Sequence, residues 1–296
     1  MAKKLQGVFA VLVTPFTKDD KVDEKTLRKH IRNLIDKGHV PGVIPTGSTG
    51  ECAALSDTER MLVAHITVNE VDGAIPVVVG TSASATKDAI RFSQYAQKIG
   101  ADGVLTLPGY YSHPDPREIV GHYKALSQNI DIPIMVYNNP GPSGVDMKPE
   151  LIAKLAEFDN VKYIKESSGD MTRVAAIQRL CGDKLTVFCG CDALSMEMFL
   201  MDAAGWVAPP ANLIPRQCNQ LFELAYLKKD IKKAKQLYLK LLPLFSLFES
   251  SGKYVQITKA GLGMLGTPYG EPRKPLLPPD KALLGEFKKI LNDIVK

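Results

Sequence analysis

Eight short runs rich in β-branched residues recur along this chain, at 7–13, 42–45, 76–80, 103–107, 133–137, 161–165, 185–189 and 205–208. A stretch of helical character follows each one. Alternation of this kind implies a parallel sheet covered by helices, and eight βα units are the number that closes a barrel. The expected fold is therefore α/β, a (β/α)8 TIM barrel.

The helical stretches carry their own boundary signals. Asp23 can cap a helix whose Leu27, Ile31, Leu34 and Ile35 share one face, with Gly38 beyond its end. Ser56 and Glu59 have capping-box spacing at the next helix, and the same beat returns at 84–99 and 169–180. Beyond the eighth run, 216–248, 254–265 and 281–295 read as helices. A barrel core over 1–215 followed by a closing helix and C-terminal helical extension over 216–296 is expected. At 296 residues the chain fits such a barrel as one unit. An open dinucleotide-binding sheet has little support, since no GxGxxG follows any run.

Composition narrows the function classes. With 37 Lys+Arg against 32 Asp+Glu, the net charge of +5 is modest. The densest basic run, 228–235, is interrupted by Asp230, Ile231 and Ala234, as suits the solvated face of a helix. No nucleic-acid partner is expected. The apolar start, 7–13, is short and lacks a small-residue cleavage site, and no apolar stretch approaches the roughly 20 residues of a membrane span. We expect a cytoplasmic protein with no membrane partner. Five cysteines without a CxxC pair suggest reduced thiols, and five scattered histidines without HExxH suggest no metal.

Active sites of such barrels lie at the C-terminal ends of the strands. The sixth run ends in Lys165, and strict alternation would put Val161, Tyr163 and Lys165 on one inward face. An ammonium is not a nucleophile at neutral pH, but apolar surroundings favour the free amine, which attacks carbonyl carbon. A lysine paired with Glu166 would suit the same position. Tyr137 ends the neighbouring fifth run, where its phenol could shuttle protons during imine formation or serve in packing. The loop Gly47-Ser48-Thr49-Gly50-Glu51 offers hydroxyls and close backbone N–H groups for a carboxylate, or an ordinary tight turn. Pro108-Gly109-Tyr110-Tyr111 places two aromatics on a surface loop, a substrate wall or partner surface.

Together these stretches, with Val136-Tyr137-Asn138-Asn139-Pro140 and Ile164-Lys165-Glu166-Ser167-Ser168-Gly169-Asp170, resemble the dihydrodipicolinate synthase and N-acetylneuraminate lyase family over the whole chain. The resemblance implies that Lys165 forms an imine with a 2-oxo acid, so that no separate cofactor is needed. It implies that Tyr137 gives and takes protons beside the imine, and that Ser48 and Thr49 bind the substrate carboxylate and relay protons. Tyr111 resembles the tyrosine that crosses from a neighbouring subunit, which implies at least a tight dimer and commonly a dimer of dimers. Gly190 and Val207 match positions that contribute backbone groups near the substrate or Lys165.

One position departs from the synthase branch of that family. Pro142 stands where that branch carries a carboxylate-gripping arginine, and proline supplies neither charge nor side-chain hydrogen bonds. Cys191, Trp206, Ala208 and the stretch Lys253-Tyr254-Val255-Gln256 also look atypical for a synthase, and the polar residues that hold a sugar tail in the N-acetylneuraminate branch are not evident. The expected activity is that of a class I lyase or aldolase using pyruvate or a related 2-oxo acid. Retro-aldol cleavage, dehydration or deamination of a 2-keto-3-deoxy or cyclic imino acid would each fit. The alternatives are condensation of pyruvate with aspartate semialdehyde and, from another class, a non-catalytic 2-oxo-acid sensor or assembly subunit.

Overall fold

The computed structural model describes residues 3–295, and all eight expected strands form within it. They are β1 (Gly7–Val11), β2 (Gly42–Ile44), β3 (Val78–Gly80), β4 (Gly103–Thr106), β5 (Ile134–Asn138), β6 (Val161–Glu166), β7 (Thr186–Cys189) and β8 (Gly205–Ala208). All paired strands are parallel, in the order β2-β1-β8-β7-β6-β5-β4-β3. The remaining seam between β2 and β3 is joined by a parallel bridge of Val43 to Val77. Val43 N–H donates to Pro76 O at 3.1 Å there, and Gly80 N–H to Pro45 O at 2.9 Å. A TIM barrel results.

The covering helices are α1 (Glu24–Asp36), α2 (Asp57–Val71), α3 (Thr86–Lys98), α4 (Pro116–Ser127), α5 (Pro140–Ser143), α6 (Pro149–Leu155), α7 (Thr172–Cys181) and α8 (Ser195–Leu200). After β8 come α9 (Pro215–Phe222), α10 (Ile231–Ser251), α11 (Tyr254–Met264) and α12 (Lys281–Val295). Asp23 caps α1 by accepting from Thr26 N–H, and Ser56 with Glu59 forms a complete capping box on α2. The expected single helix over 216–248 is broken. A π-helical turn (Glu223–Leu227) ends at Lys228, Lys229 has a φ of +52°, and Asp230 restarts the chain as N-cap of α10. No described helix is long and apolar enough to cross a membrane.

Two apolar cores flank the barrel wall. The outer one lies between strands and helices. The inner one fills the barrel with Leu5, Phe9, Val11, Ile44, Val78, Leu105, Leu107, Met135, Tyr137, Tyr163, Phe188 and Val207. Phe9 and Tyr163 meet Phe188 edge-on at centroid separations of 5.5 and 5.8 Å, and Tyr163 Oη accepts from Leu5 N–H. Glycine is required beside these rings: a Cβ on Gly42 or Gly205 would lie 2.2 Å from the ring of Phe9 or Phe188. The lower barrel is thus packed solid, which confines chemistry to its upper rim.

Strict alternation along β6 fails at one place. Ile134 pairs with Val161 but Met135 pairs with Tyr163, so Lys162 is an extra residue and bulges outward, exposed. Val161 therefore packs with the outer core, while Tyr163 lies in the inner one. A bulge reverses the facing of residues before it relative to those after it. The expected inward face of three residues is correct for Tyr163 and Lys165 and wrong for Val161.

Candidate active site

β5 and β6 place Tyr137 and Lys165 side by side, since the two are register partners. Both are almost fully buried, at 6% and 7% exposure, and Lys165 Nζ lies 3.9 Å from the centroid of the Tyr137 ring. Glu166 does not pair with this lysine. Its carboxylate accepts from Asn138 Nδ2 at 3.0 Å and from Ser168 N–H at 2.6 Å, and Asn138 Oδ1 accepts from Met147 N–H. Asn138 and Glu166 are themselves register partners, on the side of the wall away from the barrel axis. Among the described residues Lys165 makes no ion pair, so its nitrogen rests on a π-face rather than a carboxylate.

The barrel closes tightly around the lysine stem. Gly190, just past β7, donates its N–H to Glu166 O at 2.9 Å. A Cβ there would lie 1.8 Å from Ser167 Oγ and 3.0 Å from Lys165 Cε, so only glycine fits. Val207 is fully buried in the inner core. Pro142 is exposed on α5, and Arg173 of α7 is committed to Asp146 and Asp170.

The loop after β2 is held from behind. Thr14 Oγ1 donates to Gly50 O at 2.7 Å, and Glu51, in the left-handed region at φ +58°, turns its carboxylate away toward the C-terminal helices. There Lys259 of α11 meets Glu51 Oε1 at 2.6 Å, both side chains being almost wholly buried, and Arg273 N–H donates to Glu51 Oε2 at 2.8 Å. Burial lowers the pKa of Lys259, and the Glu51 carboxylate works against that shift. Thr49 is buried and Ser48 exposed. No hydrogen bond among the described residues joins either hydroxyl to Tyr137, whose oxygen accepts instead from Asn139 Nδ2 at 2.8 Å. Tyr111 is 86% exposed on the loop after β4.

Beyond β7 the rim is acidic. Asp192 is buried, with Oδ1 accepting from Trp206 Nε1–H at 2.9 Å, and its N–H donates to Glu249 Oε1 at 2.8 Å. Burial, and then the nearby Glu249, push the Asp192 carboxyl well above its usual range. The Cys191 thiol is pushed up to about 12, first by burial. Tyr254 is also raised, by burial and then by Asp192 and Glu249. The residues missed in the sequence are thus Asn139, Asp192, Lys259, Arg273 and Glu249. Asn139 stood within a quoted motif and Asp192 beside Cys191, whereas the other three reach the rim from the remote C-terminal segment.

The model of the dihydrodipicolinate synthetase family matches residues 4–294. A 4-hydroxy-tetrahydrodipicolinate synthase of Pelobacter propionicus is 36% identical over 273 residues, covering 92% of this chain and 93% of its own. The structure of the enzyme of that name from Methylacidiphilum fumariolicum superposes with a TM-score of 0.95 at 31% identity, over 99% of this chain and 96% of the other. A chloride-inhibited dihydrodipicolinate synthase of Acinetobacter baumannii, solved with pyruvate, gives 0.94 at 30% identity, over 99% of each chain.

Proposed function

Since the chain belongs to the dihydrodipicolinate synthetase family and is an enzyme of its class I lyase and aldolase type, we propose that Lys165 forms an imine with the keto carbon of pyruvate or a related 2-oxo acid. The observation that carries this is a buried lysine with no ion pair among the described residues, 3.9 Å from the Tyr137 ring centroid at the open end of the barrel. As the free amine, such a lysine attacks a carbonyl carbon. Tyr137 lends the proton that leaves with the carbinolamine oxygen as water and recovers one from C3, leaving an enamine. Ser48 and Thr49 hold the substrate carboxylate, and backbone groups at Gly190 and Val207 complete the pocket.

Retro-aldol cleavage breaks the C3–C4 bond of the imine of a 2-keto-3-deoxy acid, its electrons forming the enamine as the aldehyde leaves. The enamine made by C3 deprotonation instead expels the leaving group in dehydration or deamination of such an acid or of a cyclic imino acid, or attacks an aldehyde in condensation. Condensation with aspartate semialdehyde is a second reading of equal chemistry, favoured by relatives named as 4-hydroxy-tetrahydrodipicolinate synthases. Against a carboxylate on the second half of the substrate stands Pro142, an uncharged residue. Turnover of pyruvate with aspartate semialdehyde is to be compared with cleavage of 2-keto-3-deoxy sugar acids. Efficient condensation with no cleavage would establish the synthase reading, and the reverse would dismiss it.

Tyr111 is proposed to complete the site of a neighbouring copy, in a dimer or a dimer of dimers. Its large exposed ring supports this. Sedimentation should give at least a dimer, and a Tyr111→Phe variant should stay assembled yet lose turnover; a fully active monomer would contradict the proposal. Five unpaired thiols suit a reducing compartment, and cell fractionation should find the protein in the cytoplasm.

A further inference from the structure

Asn139 occupies the N-cap of α5, where an asparagine side chain ordinarily accepts an N–H from the first helical turn. It does not do so here. Its Nδ2 donates instead to Tyr137 Oη at 2.8 Å. The platform beneath it is fixed, because Ser143 N–H and Ser143 Oγ both donate to Asn139 O, at 3.1 and 2.7 Å. On the other side Asn138 is fully buried and tied to Glu166 and Met147. Pro140 and Pro142 have no N–H to offer, so only Gly141 could be capped, and the side chain is presented to the phenol instead.

The amide N–H occupies one lone pair of the phenol oxygen, so the phenol's own proton must point elsewhere, and the same N–H stabilises negative charge on that oxygen once the proton is gone. We propose that Asn139 is a positioning residue for the proton transfers, setting Tyr137 as a donor and holding its phenolate while the proton is on loan. The proposal rests on the imine reading of Lys165 and Tyr137. In the balanced sequence, Tyr137 protonates the carbinolamine hydroxyl, the C–O bond breaks to release water, and the Nζ lone pair forms the C=N bond. The phenolate then takes a proton from C3, and the C–H electrons form the enamine. Charge sits on the phenol oxygen between those two steps, which is when the amide acts.

Asn139→Asp tests this directly, since aspartate has the same shape and is an equally good N-cap but accepts where asparagine donates. The readouts are exchange of pyruvate C3 protons into heavy water, kcat and KM for the 2-oxo acid, and borohydride trapping at Lys165. Asn139→Asp and Asn139→Ala should slow C3 exchange about ten- to a hundredfold, with KM changed less than about threefold and trapping still complete. Asn139→Gln, which keeps the donor, should recover part of the rate. Exchange at the wild-type rate in Asn139→Asp, or a change confined to KM, would overturn the proposal alone. Absence of any adduct in the wild-type enzyme would overturn the imine reading and this proposal with it.

Discussion

Among the described residues two lysines are buried near the upper rim, Lys165 and Lys259, and their partners separate their roles. Lys259 faces a carboxylate at 2.6 Å, whereas Lys165 faces a tyrosine ring. The strand-end lysine and tyrosine were legible in the sequence because adjacent runs ended in them. Whether Glu166 neutralised Lys165 was not legible, since alternation separates the two only if the strand runs through both, and how far β6 extends is set by its pairing with β5 and β7. Gly190 shows the same limit: nothing in the sequence says that Lys165 Cε would lie 3.0 Å from its Cβ. Gly190→Ala should therefore leave a folded protein, destabilised by about 1–3 kcal/mol, that forms the Lys165 adduct at least tenfold more slowly. Trapping kinetics beside a urea titration would check it, and an unimpaired rate would remove Gly190 from the site.

At the scale of elements, β-branched runs and capping residues revealed where strands and helices lie, because both signals are local. The bulge at Lys162 escaped notice, since the residues on either side look like uninterrupted alternation and only pairing with β5 exposes the extra residue. The latch between the 47–51 loop and α11 was equally hidden, because Glu51 and Lys259 are remote in sequence. Breaking a buried ion pair leaves an uncompensated charge, whereas neutralising both members costs much less. Lys259→Met should lose about 3–5 kcal/mol in urea denaturation, and adding Glu51→Gln should restore most of it. Equal destabilisation in the single and double variants would mean that the pair does not hold the loop.

The whole molecule was legible as a barrel because eight units could be counted, while the way its C-terminal segment returns to the rim could not. Arg273 carries that return, donating to both Glu59 oxygens at 2.8 and 2.5 Å, to Ala54 O at 2.9 Å and to Asp20 Oδ1 at 2.9 Å. The guanidinium holds the Glu59 carboxyl down to about 2. A depressed carboxylate contributes stability above its unfolded value of about 4.3, and that contribution is lost as pH falls through the folded value. The stability gap between wild type and Glu59→Gln should be full at pH 6 and shrink between about pH 4.3 and pH 2. A gap independent of pH would contradict this role for the pair.

The central claim is that Lys165 is the imine-forming amine. Borohydride reduction of the enzyme in the presence of pyruvate, followed by peptide mapping, tests it most directly. One equivalent of adduct on Lys165, absent from a folded Lys165→Ala variant, is the predicted result. No adduct, or an adduct on Lys259 or any other lysine, would contradict it.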